Sequence, residues 1–367
     1  MLSRRQFNHA LPAALAASAT LAACSSGTGE TIYDSAVKQT WRLGPLQGLE
    51  GQAMATELVR YATLAPSSHN TQCWKFAIEK DAITVLPDFS RRCPAVDPDD
   101  HHLFVSLGCA AENLAQAARA HGLRGEASFN ETSSGVRIAL VPAASEASEL
   151  LNAIPSRQCT RAEYDGKPVA SDELKRLEAA GTSERVRVLL LTDRPALENV
   201  LEFVVQGNTA QMNDKAFVDE LKRWIRFNGA DAVHLGDGLF SKSSGNPEVP
   251  AWLGALMFGL FFTPKAENEK YVKHLRSSAG VAVFAAAKED KAHWVEVGRC
   301  YERFALQATA LGIRTAHVNM PVEVATLRPK FGEAIGLGRT RPDLVIRFGR
   351  GPTLPHSLRR PVQAVLV

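Results

Sequence analysis

Two long stretches rich in small residues constrain this chain most. In the first, Leu103, Leu107, Ala110, Leu114, Ala117 and Ala118 recur at helical spacing on one face. Asp97-Pro98-Asp99-Asp100 precedes them, placing acidic side chains at the positive start of the helix. The alanines imply close helix packing. In the second, over residues 293–311, Trp294, Val297, Tyr301, Phe304, Ala308 and Leu311 form one stripe. Each is flanked by strand-like runs, and the chain therefore reads as two related halves, residues 41–150 and 151–367.

In the first half, residues 51–64 are a helix with Met54, Leu58, Tyr61 and Ala62 on one face, and Pro66 ends it. Residues 76–78 and 83–86 read as a hairpin, and residues 126–129 and 136–141 as two further strands. In the second half, residues 185–191, 280–285 and 344–348 read as strands, and residues 196–227 as largely helical. The expected class is α+β, with long helices on a mostly antiparallel sheet. The longest apolar run, Trp252-Leu253-Gly254-Ala255-Leu256-Met257-Phe258-Gly259-Leu260-Phe261-Phe262, is shorter than the roughly twenty residues that span a bilayer. Loop residues flank it, which favours a core helix or a lid over residues 236–262 above a membrane-facing patch.

The N-terminus reads as an address. Ser3-Arg4-Arg5-Gln6-Phe7, an apolar stretch from Ala10 to Ala17, and Leu21-Ala22-Ala23-Cys24 occur in the order of a twin-arginine export signal ending in a lipobox. Residues 1–23 are expected to be removed. Cys24 is expected to carry lipid, and residues 24–40 to form a flexible tether. The protein is then periplasmic or on the outer face of a membrane. Twin-arginine export carries folded proteins, which favours a cofactor acquired beforehand. A net charge of +3 without a Lys/Arg-rich block argues against nucleic acid. Cys73, Cys93, Cys109, Cys159 and Cys300 form no Cys-x-x-Cys pair, so neither a zinc site nor a disulfide scaffold is indicated, although one disulfide is permitted. His101 and His102 are adjacent, about 100° apart on a helix, and poorly placed to share a metal.

Four segments carry chemistry. Ala65-Pro66-Ser67-Ser68-His69-Asn70-Thr71-Gln72-Cys73-Trp74-Lys75-Phe76 puts short hydroxyls and two carboxamides directly after a helix, groups able to donate to and accept from a polar ring edge. Pro155-Ser156-Arg157-Gln158-Cys159-Thr160-Arg161 offers two guanidinium forks suited to a dianionic phosphate. Pro355-His356-Ser357-Leu358-Arg359-Arg360-Pro361 adds a basic pair. Ala310-Leu311-Gly312-Ile313-Arg314 leads to Asn319-Met320-Pro321-Val322-Glu323.

Together these resemble the FMN-dependent nitroreductase family, in particular its Acg-type branch, in which one chain mimics a dimer and holds one FMN. The resemblance covers roughly Gly51 to the C-terminus and is scattered between residues 196 and 271. It implies that Ser67, Ser68, Asn70 and Gln72 meet the flavin ring and that Arg157, Cys159, Arg161, Arg359 and Arg360 hold its phosphate. Pro321, Val322 and Glu323 would lie beside N5. Cys73 stands where the family has proline, and Cys159 where it often has serine. The implied activity is two-electron reduction of nitroaromatic or quinone-like acceptors, fed by NAD(P)H or a membrane donor, with no catalytic side chain. The alternative is a flavin-holding protein closed by the lid.

Overall fold

The computed structural model describes residues 31–45, 48–146 and 148–367. The twin-arginine segment and Cys24 lie outside them.

The described chain opens with α1 (Ile32–Thr40), where a tether was expected. Thr31 starts it: its Oγ1 accepts from the Asp34 backbone N–H and donates to the Asp34 carboxylate. Aromatic residues tie α1 down. The Tyr33 hydroxyl donates to the His356 carbonyl (2.6 Å), and Trp41 Nε1 donates to the Ser357 carbonyl (3.0 Å). A small polar composition suggested slack chain, but two long-range donors hold it.

The first half runs α2 (Gly51–Thr63), β1 (Trp74–Ile78), β2 (Ala82–Pro87), α3 (His101–Ala120), β3 (Leu123–Asn130) and β4 (Gly135–Pro142). The second runs α4 (Ser171–Gly181), β5 (Val186–Leu191), α5 (Arg194–Met212), α6 (Lys215–Trp224), α7 (Ala251–Phe261), α8 (Pro264–Arg276), β6 (Gly280–Ala286), α9 (Lys291–Ala310), β7 (Arg314–His317) and β8 (Leu344–Gly349). The fold class is α+β. Each half has a four-stranded antiparallel sheet, ordered β1-β2-β4-β3 and β5-β6-β8-β7. The second order is the first with four added to each number, so the halves share one topology. The second departs in its connections: residues 192–279 replace the tight turn at residues 79–81, and residues 318–343 replace the turn at residues 131–134.

The halves meet along α3 and α9, both 20 residues long. At the eighth residue of each stands a glycine. A Cβ on Gly108 would lie 1.9 Å from the Val295 carbonyl oxygen, and a Cβ on Gly298 would lie 1.9 Å from that of Val105. The contacts are reciprocal, as at a two-fold axis. Every residue of α3 except Arg119 is buried, so the alanine-rich face expected to pack closely does so, and the rest of the helix is covered as well. All seven residues of β6 are buried. Ala282, Phe284 and Ala286 join the core shared by both halves, while Val281, Val283 and Ala285 join a second core under α5, as the two-residue period of a strand requires.

His101 and His102, expected to be poorly placed to share a metal, have ring centroids 4.8 Å apart, and with Asp97 they bring three possible ligand atoms within 4.8 Å of one another. Asp97, ahead of the helix, accepts from the His102 and Leu103 backbone N–H groups (3.0 and 2.9 Å) and lies 3.4 Å from His102 Nδ1. His101 Nε2 lies 2.8 Å from Asp343, whose other oxygen accepts from Ala286 N–H (2.7 Å). The histidines couple the start of α3 to the second sheet. The C-terminus crosses in the other direction: Phe76 N–H donates to Val365 (2.8 Å) and Val367 N–H to Phe76 (3.0 Å), extending the first sheet beyond β1.

Candidate functional site

The turn after α2 is the most strained backbone described. His69, Asn70 and Gln72 have φ of 47°, 53° and 54°, the left-handed region that costs a side chain roughly 1–3 kcal/mol in strain. Carboxamides hold it there. Asn70 Nδ2 donates to the carbonyls of Gly238 (2.8 Å) and Leu358 (3.1 Å), and Gln72 Nε2 donates to that of Gly236 (2.8 Å). Gln72 Oε1 accepts from Arg360 N–H (2.8 Å). Irregular backbone needs partners when it is buried, and this turn supplies them to the 236–238 loop and the C-terminal segment. Between Gly236 and Gly238, Asp237 is gripped by Arg91 and Arg226.

Beside this turn lies a cavity of about 90 Å³ lined by Ser67, Asn70, Arg157, Cys159, Arg161 and Arg359, among others. A cavity of about 320 Å³ adjoins it and shares Arg161, Leu239 and His317. Its walls are largely apolar: Phe227, Met257, Phe258, Phe261, Phe262 and Tyr271 contribute. The two form a charged pocket opening into an aromatic one.

The arginines are not equivalent. Arg157 lies 3.3 Å from Glu302 and donates to the Leu64 carbonyl (3.0 Å). Arg359 donates to the carbonyls of Thr63, Leu64 and Ala65 (2.7–3.1 Å), so both satisfy the carbonyl end of α2. Arg161 pairs with no carboxylate among the described residues and faces both cavities. Arg347 fixes its loop by donating to the carbonyls of Thr160 (3.0 Å) and Ala162 (2.7 Å).

The pocket is rich in positive charge. Burial, then Arg157, lowers Arg359 to about 9. Burial, then Arg157 and Arg359, pushes His356 down to about 3. Burial raises the Cys159 thiol, but Arg161 and the His317 ring, whose Nδ1 is 3.7 Å from Sγ, outweigh it and hold the thiol at about 5. Cys73 and Cys300, in contrast, are pushed up to about 12 and about 11 by burial. Arg157, Arg161 and Arg359 outnumber the anionic groups beside them, Cys159 and Glu302, and such an excess of like charge suits an anion.

Of the residues expected to meet a ligand, Ser67, Asn70, Arg157, Cys159, Arg161 and Arg359 line the smaller cavity. Ser68, Gln72 and Arg360 line neither cavity. Gln72 is spent on backbone groups at both ends of its amide, and Arg360 Nη2 is turned to the carbonyls of Gln72 (3.2 Å) and Trp74 (3.3 Å). Pro321, Val322 and Glu323 also line neither. They lie in a one-turn helix over Met320–Glu323, with Pro321 and Val322 buried. Met320 packs so close to Gly207 that a Cβ there would clash at 2.8 Å. Glu323 accepts from Gln211 (2.7 Å), and burial raises its carboxyl. His317 and Val318, just upstream, reach the larger cavity instead. His317, Leu239, Ser243 and Tyr271 went unnoticed in the sequence because each stands alone, outside any motif.

No family model matches the chain. It is similar to two Mycobacterium tuberculosis proteins. One, provisionally named NAD(P)H nitroreductase Rv3131, is 25% identical over 319 residues, covering 83% of this chain and 88% of that protein. The other, provisionally named NAD(P)H nitroreductase acg, is 23% identical over 324 residues, covering 84% and 93%. Among solved structures, the FMN-dependent nitroreductase NfnB of Mycobacterium smegmatis in complex with NADPH aligns over 59% of this chain and 91% of its own, at 12% identity and a TM-score of 0.37. A nitroreductase with bound FMN from Desulfitobacterium hafniense aligns over 57% and 94%, at 12% identity and the same TM-score.

Proposed function

We propose that this protein is an FMN-dependent oxidoreductase of the nitroreductase kind, exported by the twin-arginine route and held to a membrane by lipid on Cys24. The observation that carries the enzymatic reading is Arg161, which has no carboxylate partner among the described residues and stands at the junction of a cationic pocket and an aromatic one. A phosphate on a planar aromatic ring system has that polarity. The residues fit: Asn70 Oδ1 is buried with no hydrogen-bond partner, and an unmet acceptor costs free energy until a donor arrives. The names of the mycobacterial relatives support the reading.

Arg161 would hold the phosphate, with Arg157 and Arg359 setting the potential around it, and Ser67 and Asn70 would meet polar ligand atoms. Bound there, FMN supplies two-electron chemistry between a reduced donor, NAD(P)H or a membrane carrier, and a nitroaromatic or quinone-like acceptor. The aromatic walls would stack on the ligand and exclude water.

A second reading is favoured by α7. Gly254, Met257, Phe258 and Phe261 line the larger cavity, as a lid would, and a closed lid makes the protein a flavin holder with little turnover. Purification and reconstitution test the shared premise: a colourless protein that takes up no FMN ends both readings. Rapid bleaching of the bound flavin by NADH or NADPH in stopped flow then favours the enzyme. Recovery of the wild-type chain in the cytosolic fraction would end the export reading alone.

A further inference from the structure

Helix α7 has two apolar faces. Every residue of Ala251–Phe261 is apolar or glycine. The inner face carries Met257 and Phe258 toward the larger cavity. Gly254 lies against the Phe227 ring, where a Cβ would come within 2.3 Å. The outer face carries Trp252, Leu256 and Leu260 at four-residue steps, 71%, 54% and 62% exposed. A helix on a water-facing surface ordinarily turns polar residues outward, and a contiguous exposed apolar stripe marks an interaction site.

Eleven residues are too few to cross a bilayer, and no described helix is long and apolar enough to do so. The stripe would therefore lie along a surface. The start of the chain indicates which one. Tyr33 of α1 packs its ring 4.9 Å from that of Phe240 and touches Gly229. Residues 225–226 pair with residues 239–240, and Phe227, next in sequence, sits under Gly254 of α7. The first described residues and α7 are thus built on the same segment, 225–240. The seven links from Cys24 to Thr31 reach roughly 25 Å at full extension, so lipid on Cys24 would keep this segment close to a membrane. A tryptophan at one end of the stripe suits the bilayer interface.

We propose that the outer face of α7 rests in the interfacial layer of a lipid bilayer, so that the cavity behind it receives lipid-soluble acceptors of the quinone class. The docking rests on the anchoring reading for bringing the face to the membrane and is independent of the flavin. A second copy of the chain is the competing occupant.

The test uses the full chain carrying Cys24→Ala and vesicles of phosphatidylcholine and phosphatidylglycerol. Cosedimentation should show binding that falls at least about tenfold when Trp252→Gln, Leu256→Glu and Leu260→Glu are combined, since each of these side chains loses a favourable transfer. The apolar segment before Cys24 is the same in both proteins, so the difference reports α7. Vesicles containing brominated lipid should quench tryptophan emission, and Trp252→Phe should remove that quenching while binding persists. Equal binding by the triple variant, or binding without Trp252-dependent quenching, overturns the proposal. So does a triple variant that changes only the oligomeric state. Flavin absorbance of each preparation separates the two claims: a yellow protein that ignores vesicles discards the docking alone, and a colourless one that binds them through α7 keeps it.

Discussion

The two halves of the chain carry the same sheet and do different work. Between β1 and β2 the first half spends only residues 79–81. Between β5 and β6 the second half spends residues 192–279, which hold α5 to α8 and most of the larger cavity's walls. The first half contributes the strained turn and the carbonyl end of α2. One plan used twice thus yields a scaffold on one side and a site on the other. The insertion could grow because it replaces a surface hairpin turn, where added length costs little closure entropy.

The sharpest way to break this comparison is at the helix crossing. If the halves are related by a two-fold axis, Gly108→Val and Gly298→Val should be equally harmful. Each puts a side chain where a carbonyl already lies 1.9 Å from the Cβ position, and each should cost roughly 3 kcal/mol by overpacking. Denaturant unfolding would show it. A large loss at one glycine and almost none at the other would mean that the symmetry is only topological.

The next effect concerns division of labour within the site. Arg161→Ala should weaken FMN binding by about 1.5–3 kcal/mol, tenfold or more, because it removes a charge-assisted contact. Riboflavin, which lacks the phosphate, should be almost indifferent. Arg360→Ala, outside the cavity, should leave the FMN/riboflavin ratio unchanged. Titration of both flavins checks this, and equal losses of both in Arg161→Ala would mean the arginine supports the fold rather than the phosphate.

The smallest effect is a slope with pH at the contact between halves. Burial, opposed by Arg157, raises Glu302 from its ordinary value to about 7. The folded protein therefore holds this proton above the pH at which the unfolded chain releases it. That contribution to stability is present below the unfolded pKa and is lost as pH rises through about 7. Glu302→Gln should remove this decline between pH 4.5 and 7. A difference in stability between the two proteins that is constant over that window would refute the assignment.

Much of this was legible in the sequence because it depends on neighbours along the chain. The periods of α3 and α9, the positions of β3 and β4, and the ends of α2 follow from local spacing and turn residues. So does the placing of Ser67 with Asn70, and of Arg157 with Arg161, in two short polar segments. Elsewhere the fold gives side chains work that local sequence does not show. Gln72 and Arg360 look like ligand groups by type, yet the folded chain brings each to a backbone carbonyl, or an N–H, that would otherwise be buried unmet. Pro321 and Val322 read as a turn and became core when Met320 met Gly207. The stretch at residues 32–40 read as slack chain until His356 and Ser357, more than three hundred residues away, supplied acceptors.

The sequence by itself determined the elements and the chemistry available to them, since helix period, strand alternation and side-chain type are properties of short stretches. Only the tertiary structure decided which arginine is left without a carbonyl or carboxylate partner. Arg157, Arg161 and Arg359 carry the same charge and similar reach. What distinguishes them is whether α2 ends beside them, and that is fixed by packing across the whole chain: the buried carbonyls of Thr63, Leu64 and Ala65 take up Arg157 and Arg359 and leave Arg161 facing the cavity.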